Sequence, residues 1–579
     1  MKLSKLREMR VSRDMVDVFK GYNHNLRIGD GEFYEMTNLS SDNYPVLSPR
    51  RTRGIYAVPQ KPQGLASKDD LCYVDGEDLY IGDDVVHMNL TLDNAPKTLI
   101  SMGAYLIIMP DKKYVNTADL NDYGDIEASI TTSSTVTFTL AKVDGTDYEG
   151  VIAQNDAPKS PANMALWMDT SVTPNVLKQY STSSGSWVDI TTTYIRISAP
   201  GIGAPFLDGD GISISGIEIE DLADLNSTMV ISARGDDYIV VTGILNELTT
   251  QETPITIKRQ MPNMDFIIES GNRLWGCRYG TAVNGEVVNE IYASKLGDFK
   301  NWNCFLGIST DSYAATVGTD GQFTGAIEHL GYPLFFKENC MHKVYGNYPS
   351  QYQIQTTTCR GVQKGCDKSL AIVNEVLYYK ARSGVCAYDG SLPSEISAAF
   401  GEENYFNATA GFLGNKYYIS MADNKYGWHM FVYDTMKGMW HREDDTQATC
   451  FCNFRGDLYY IDYADNQIKT VRGTGVKDAS PTRWSAVTGI IGTDSPDKKY
   501  VSRIDVRMSL QAGARVTFYV EYDSSGEWEH LFTMDGITLR TFAVPIRPRR
   551  SDHMRLKIVG YGEAKIYSLC KSIEQGSDS

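Results

Sequence analysis

Apolar and polar residues alternate in short runs along most of this chain, which is the period-two pattern of half-buried strands. "TVTFTLAKV", "YIVVTGIL", "ARVTFYVEY" and "MRLKIVGYG" show it most clearly, and Gly, Asp and Ser turns such as "DSSGEW" separate such runs. In the second half the pattern repeats. "GYPLFFKE" begins at Gly331, "NEVLYYKARSGVCAYDG" at Asn374, "GNKYYISMADN" at Gly414 and "GDLYYIDYADN" at Gly456, at intervals of 43, 40 and 42 residues. Each unit is a turn, a short aromatic strand, a second turn and a further strand such as "MFVYDTMKGMW". Strands at this interval are the signature of a β-propeller, whose four-stranded blades bury their faces on one another.

"SGNRLWGCRYG" at Ser270, "MGAYLIIMPDKKYVNT" at Met102 and "DGEDLYIGDD" at Asp75 extend the series backwards less regularly. Gly271 follows Gly103 by 168 residues, roughly 125 more than one blade period, so a segment is inserted between blades. The expected architecture is all-β: a β-propeller of about 6–7 blades with an inserted all-β domain and a C-terminal β-sandwich. Residues 1–52 read as an extended N-terminal arm and 53–118 as the first blades. Residues 119–260 form the insertion, 261–480 the remaining blades and 481–579 the sandwich, with polar "SIEQGSDS" as a frayed tail.

Composition supports the β reading, since 36 of the 579 residues are Tyr. Tyrosine pairs recur in successive units, as Tyr378 and Tyr379, Tyr417 and Tyr418, and Tyr459 and Tyr460. A pair in every blade is expected of sheet packing rather than of one ligand site. Net charge is −17, which opposes general nucleic-acid binding because that needs basic surface to displace counterions. The charge is concentrated: residues 119–260 hold 20 Asp and Glu against 7 Lys and Arg. The charged N-terminal stretch lacks the apolar core of a secretory signal. No run of about 18 apolar residues suggests a membrane span.

Candidate chemistry is sparse. Ten Cys lie mostly singly in apolar strands and read as buried thiols, and Cys450 and Cys452 form a C-x-C without a partner pair at zinc spacing. Eight His are scattered without metal-binding spacing, and no nucleophile elbow, phosphate loop or dinucleotide fingerprint occurs. Asp208 and Asp210 in "LDGDGIS" lack the further ligands of a calcium loop and read as a plain turn. Neither catalytic residues nor a cofactor nor a metal is expected, and the chain reads as a non-enzyme. The alternative is a glycan-binding or glycan-hydrolysing propeller. Hydrolysis needs two carboxylates across a pocket, and "GTDGQFTG" and "YDTMKGMW" match a sialidase box only loosely.

Two basic patches stand out, Arg50, Arg51 and Arg53, then Arg547, Arg549 and Arg550. Arginine beside proline suits an anchor on an acidic neighbour. "EMTNLSSDNYPVLSPRRTRG" resembles the N-terminal segment of bacteriophage tail propellers, the nozzle or packaged-DNA-stabilization proteins of short-tailed phages. Asn38, Leu39, Asp42, Pro45, Leu47, Arg50 and Gly54 fill that family's pattern. "NEIYASKLGDFKNW", "GTDGQFTGA" and "FFKE" look like its central blades.

The resemblance implies a structural virion protein made in the host bacterial cytoplasm. Copies of the chain, six in the expected case, would form a ring below the portal and adaptor and touch tail fibre proteins. Double-stranded DNA would pass the lumen without specific binding, kept mobile by acidic walls. Asn38, Leu39, Asp42, Pro45, Arg50, Arg51, Arg53, Arg547, Arg549 and Arg550 are the expected subunit contacts. The arm is expected to serve assembly more than folding.

Overall fold

The computed structural model describes residues 11–86, 91–282, 285–477, 482–493, 498–536, 538–547 and 549–575. The first ten residues and the end of the expected frayed tail lie outside them. The chain forms two compact units: residues 1–98, 335–341 and 356–579, and residues 99–334 and 342–355.

The fold is an all-β propeller with additional β domains. Among the described residues seven blades follow one another along the chain, numbered here 1 to 7: blades 1 to 5 are separate four-stranded sheets, blade 6 is four strands of a larger sheet and blade 7 is part of a five-stranded one. The first unit holds blade 1 (residues 62–85), blade 5 (371–395), blade 6 (405–442) and blade 7 (448–470). The second holds blade 2 (98–125) apart from Thr98, and blade 3 (266–316), and the residues of blade 4 (325–358) are divided between the units.

The tyrosine pairs explain why the blades stack. Successive strand residues point to opposite faces, and both members of each pair are buried, so each pair meets two neighbouring blades. Tyr378 meets Tyr417 of blade 6 with ring centroids 5.4 Å apart, while Tyr379 meets Phe336 at 5.2 Å. Tyr418 packs with Leu458 and Tyr460 of blade 7. Tyr459 packs with Leu65, Leu71 and Tyr73 of blade 1. The buried hydroxyls are satisfied where they meet backbone: Tyr379 donates to the Arg360 carbonyl at 2.5 Å and Tyr417 to the Ser369 carbonyl at 2.7 Å.

Blade 7 draws only three strands from its own stretch of sequence. The fourth is Gly54–Ala57, from the start of the propeller, paired with Ile468–Thr470. The short strand Val476–Lys477 pairs on the far side of Gly54–Ala57. A Cβ at Gly54 would stand 2.1 Å from the Thr474 carbonyl oxygen and 2.6 Å from the Thr470 hydroxyl, so only glycine fits between the flanking strands.

The N-terminal segment is not the extended arm expected from its polarity. Val11–Val16 pairs with Ala564–Gln575 in one sheet of the C-terminal sandwich. Gly21–Tyr22 pairs with the outer strand of blade 6 through Tyr22 and Trp440. It also runs parallel to Glu32–Thr37, which pairs with Arg483–Thr488 in the sandwich's other sheet. Blade 6, these two strands and that sandwich sheet form one continuous ten-stranded sheet. Phe19, Tyr22, Phe33, Met36, Leu39 and Leu47 are buried, so this segment supplies core. The ladder slips between Phe33 and Glu35, which breaks strict alternation and hides the strand from a period-two reading.

The insertion begins later than residue 119, because Tyr123–Asp125 is the fourth strand of blade 2. Its first strand, Ala128–Thr131, pairs with its last, Thr256–Arg259, so entry and exit lie side by side. Two sheets of four and five strands share a core that includes Phe138, Ile197, Ile212, Ile239 and Ile257. A third sheet carries an aromatic cluster in which the rings of Trp167 and Tyr180 meet that of Trp187 at 5.4 and 5.3 Å. Asp210 of the expected plain turn is buried against Arg259 at 2.6 Å, which gives it a structural role.

All ten cysteines are free, six of them buried. No helix among the described residues is long and apolar enough to cross a membrane.

Candidate functional site

The segment from Asn38 to Gly54 forms a seam against blades 6 and 7. Asn38 has φ of 56°, a left-handed conformation that asparagine tolerates better than most residues. Its side-chain oxygen accepts from Arg50 Nε at 2.7 Å, and its amide donates to the Arg483 carbonyl at 2.8 Å. Leu39 is fully buried, and Leu39–Ser40 pairs with Ser48–Pro49. The Pro45 carbonyl accepts from the Phe19 amide at 3.1 Å. Asp42 takes a 2.5 Å ion pair from Lys416, and Ser41 donates to the buried Asp434 at 2.6 Å.

Arg53 lies at the centre of the seam. It donates to Glu443 at 2.8 Å, to Thr446 Oγ1 at 2.8 Å and to the Tyr460 hydroxyl at 2.7 Å, with Asp444 at 3.1 Å. Arg50 bridges to Asp444 at 3.1 Å. Burial opposes the Arg53 charge, but Asp444, Tyr460 and Glu443 outweigh it and hold its pKa well above the ordinary value. Burial and the neighbouring Arg53 lower that of Arg50. Asp444 is held below the ordinary carboxylate value although burial opposes this, because Arg53 and Arg50 prevail. Beside the network, burial pushes the imidazole pKa of His441 down to about 3, and its Nδ1 has no hydrogen-bond partner.

This geometry removes Leu39 and Arg53 from the expected contact set. Arg53 and Leu39 are buried and hold the fold, while Asn38, Asp42, Pro45 and Arg50 make bonds within the chain, with Asp42 and Pro45 still exposed. Arg51 differs: its side chain is 68 % exposed and its carboxylate partner, Asp42, is 3.8 Å away. Arg547, Arg549 and Arg550 are exposed, with Arg549 paired to Glu529 at 2.7 Å. The residues missed by sequence reading are Glu443 and Asp444, while Tyr460, expected only to pack, also accepts from Arg53. The run Glu443-Asp444-Asp445 directly after a blade strand was the available signal.

Two clefts open along the seam, of about 410 and 940 Å³, and both are lined by Asp42, Arg50, Arg51 and Arg472. Lys437 lines the first and Lys565 the second. A third cleft of about 360 Å³ lies where strands Gly21–Tyr22 and Glu32–Thr37 meet blade 6. Tyr22, His24, Tyr405 and His429 give it aromatic walls, and Glu35 and Glu403 are exposed at its edge. His429 is held on both sides: Arg442 Nε donates to Nδ1 at 2.9 Å, which leaves Nε2 to donate to Asp423 at 3.0 Å. Burial raises the Tyr405 hydroxyl pKa to about 12, so it stays protonated. No group of three or more His, Cys, Asp or Glu among the described residues is placed to hold a metal.

No family model and no curated protein matches the chain. Among solved structures it is similar to BamB from Moraxella catarrhalis, at 10% identity and a TM-score of 0.29, over 72% of this chain and 95% of that one. An exo-beta-1,3-galactanase from Phanerochaete chrysosporium matches at 9% identity and a TM-score of 0.21, over 53% of this chain and 94% of its own. A glycoside hydrolase family 43 arabinoxylan arabinofuranohydrolase from Bacillus subtilis matches at 8% identity and a TM-score of 0.19, over 52% and 94%. Likeness at this level carries no activity or partner to this chain.

Proposed function

We propose that the chain is a structural, non-enzymatic part of a phage tail, a ring-forming nozzle that retains packaged DNA and conducts it at ejection. The observation that carries this reading is the N-terminal segment, which ties propeller and sandwich together through main-chain ladders. One continuous sheet runs from blade 6 into the sandwich. Rigid linkage of several β domains suits a part that holds its shape under load, since each tie shares its hydrogen bonds with a packed core. The tail-propeller resemblance of residues 31–118 and 262–480 supports the same reading. Partners are then further copies of the chain, adaptor and portal-proximal proteins, tail fibres and passing duplex DNA. Purified protein examined by native mass spectrometry and negative-stain microscopy should form closed rings, and a strictly monomeric protein at all concentrations would contradict the reading.

The third cleft favours a second reading, glycan binding. Aromatic walls with a few polar groups at the rim are the usual lining of a small-ligand site. A glycan array discriminates the two, because the structural reading expects no saccharide to bind and no loss of binding in Tyr405→Ala.

A further inference from the structure

We infer that the basic groove along the seam is the docking site for the acidic inserted domain of a neighbouring copy, joined head to tail. This rests on the self-assembling reading above and names its interface. The two clefts share Arg50, Arg51 and Arg472 and so form one groove. Its inner side chains are bonded within the chain: Arg50 pairs with Asp444, Lys416 pairs with Asp42, and the Ser41 hydroxyl donates to the buried Asp434. Its solvent face is different. Arg51, Lys437, Arg472 and Lys565 are all exposed there. Lys437 lies over the Tyr44 ring at 5.0 Å and Arg472 donates to the Gly456 carbonyl, so neither is neutralised by a carboxylate in these contacts. The exposed carboxylates of the groove are Asp42, which is taken up by Lys416 at 2.5 Å and lies 3.8 Å from Arg51, and Glu563, against four exposed cations. An outward cationic face is unexpected on a chain of net charge −17, and it calls for an acidic occupant.

The same chain presents one. The turn Glu220–Leu225 is fixed by Leu222 and Leu225, which are buried in the core of the inserted domain. This anchoring leaves Glu218, Glu220, Asp221 and Asp224 exposed together. They lie in the segment that holds 20 of the acidic residues against 7 basic ones. A groove and a ridge on different surfaces make a heterologous contact, and such contacts generate rings when the rotation closes. Duplex DNA is the less favoured occupant, because it would have to approach through the field of the whole acidic chain.

The test uses two full-length variants at about 0.15 M salt. One carries R51E, K437E and R472E, and the other E220K, D221K and D224K. All six positions are exposed, and thermal melts confirm that both variants fold. Each variant alone should associate at least about tenfold more weakly than the parent. A one-to-one mixture should regain assembly, because alternating copies restore complementary charge at every interface. Rings that form in the parent but ignore both reversals overturn this inference and leave the structural reading intact. Loss in each variant without recovery on mixing also overturns it. Binding of a labelled DNA duplex that is lost with R51E, K437E and R472E would assign the groove to nucleic acid instead. A parent that never associates overturns both this inference and the reading beneath it.

Discussion

Arg53 donates to the hydroxyl of Tyr460 at 2.7 Å, and its guanidinium lies 5.1 Å from the centre of that ring. The contact joins the N-terminal segment to the tyrosine repeat of blade 7, and Glu443 and Asp444 complete its surroundings. Removing one partner of such a buried network leaves the others charged and uncompensated. Arg53→Ala should therefore lose about 3–5 kcal/mol of stability. Arg51→Ala, two residues away and exposed, should change stability by less than about 0.5 kcal/mol. Chemical denaturation of the two variants checks the contrast, and equal losses would contradict the placement of Arg53.

The N-terminal segment should be needed for folding. Deleting residues 1–48 removes ladders to blade 6 and to both sandwich sheets, together with six buried apolar side chains. The expected product is insoluble or melts far below the parent. A milder probe is Leu39→Ala at a fully buried site, which should cost about 2–5 kcal/mol. A soluble truncation with an unchanged melt would show that these ladders carry little.

His441 should make stability fall with acid. An unfolded histidine takes up its proton near 6.5, whereas burial in the folded chain delays this to about 3. Between those values the unfolded state holds the extra proton, so stability is full above about 6.5 and declines as pH drops towards about 3. In denaturant titrations His441→Phe should flatten the slope over that window relative to the parent. An unchanged slope would mean that His441 is not the group responsible.

The inserted domain should fold by itself. Ala128 and Arg259 are paired, so excising 128–259 and bridging with a short Gly/Ser linker spans neighbouring positions. Separate cooperative melts are expected for the excised domain and for the remainder. If neither piece melts cooperatively, the domain division is wrong.

Periodicity made the blades legible, because aromatic strands at a constant interval leave few other folds. The tyrosine pairs were read as packing, and each indeed faces two neighbouring blades. The N-terminal segment was not legible. Its strands are two to six residues long, one is bulged, and their partners lie hundreds of positions away, as with Val11 and Glu574. Local pattern carries no trace of such pairing. Arg50 and Arg53 have the chemistry of an anchor on acidic groups, but the carboxylates they meet, Asp444 and Glu443, sit in the turn after blade 6 of the same chain. Polarity alone cannot tell an inward arginine from an outward one.

The central claim, a propeller protein that assembles with itself, is tested most directly by single-particle electron microscopy of the purified full-length protein across a range of concentrations. The account predicts closed rings in which each copy touches the next through unlike surfaces. Monomers at every concentration, with a saccharide bound beside Tyr22 and Tyr405, would contradict it.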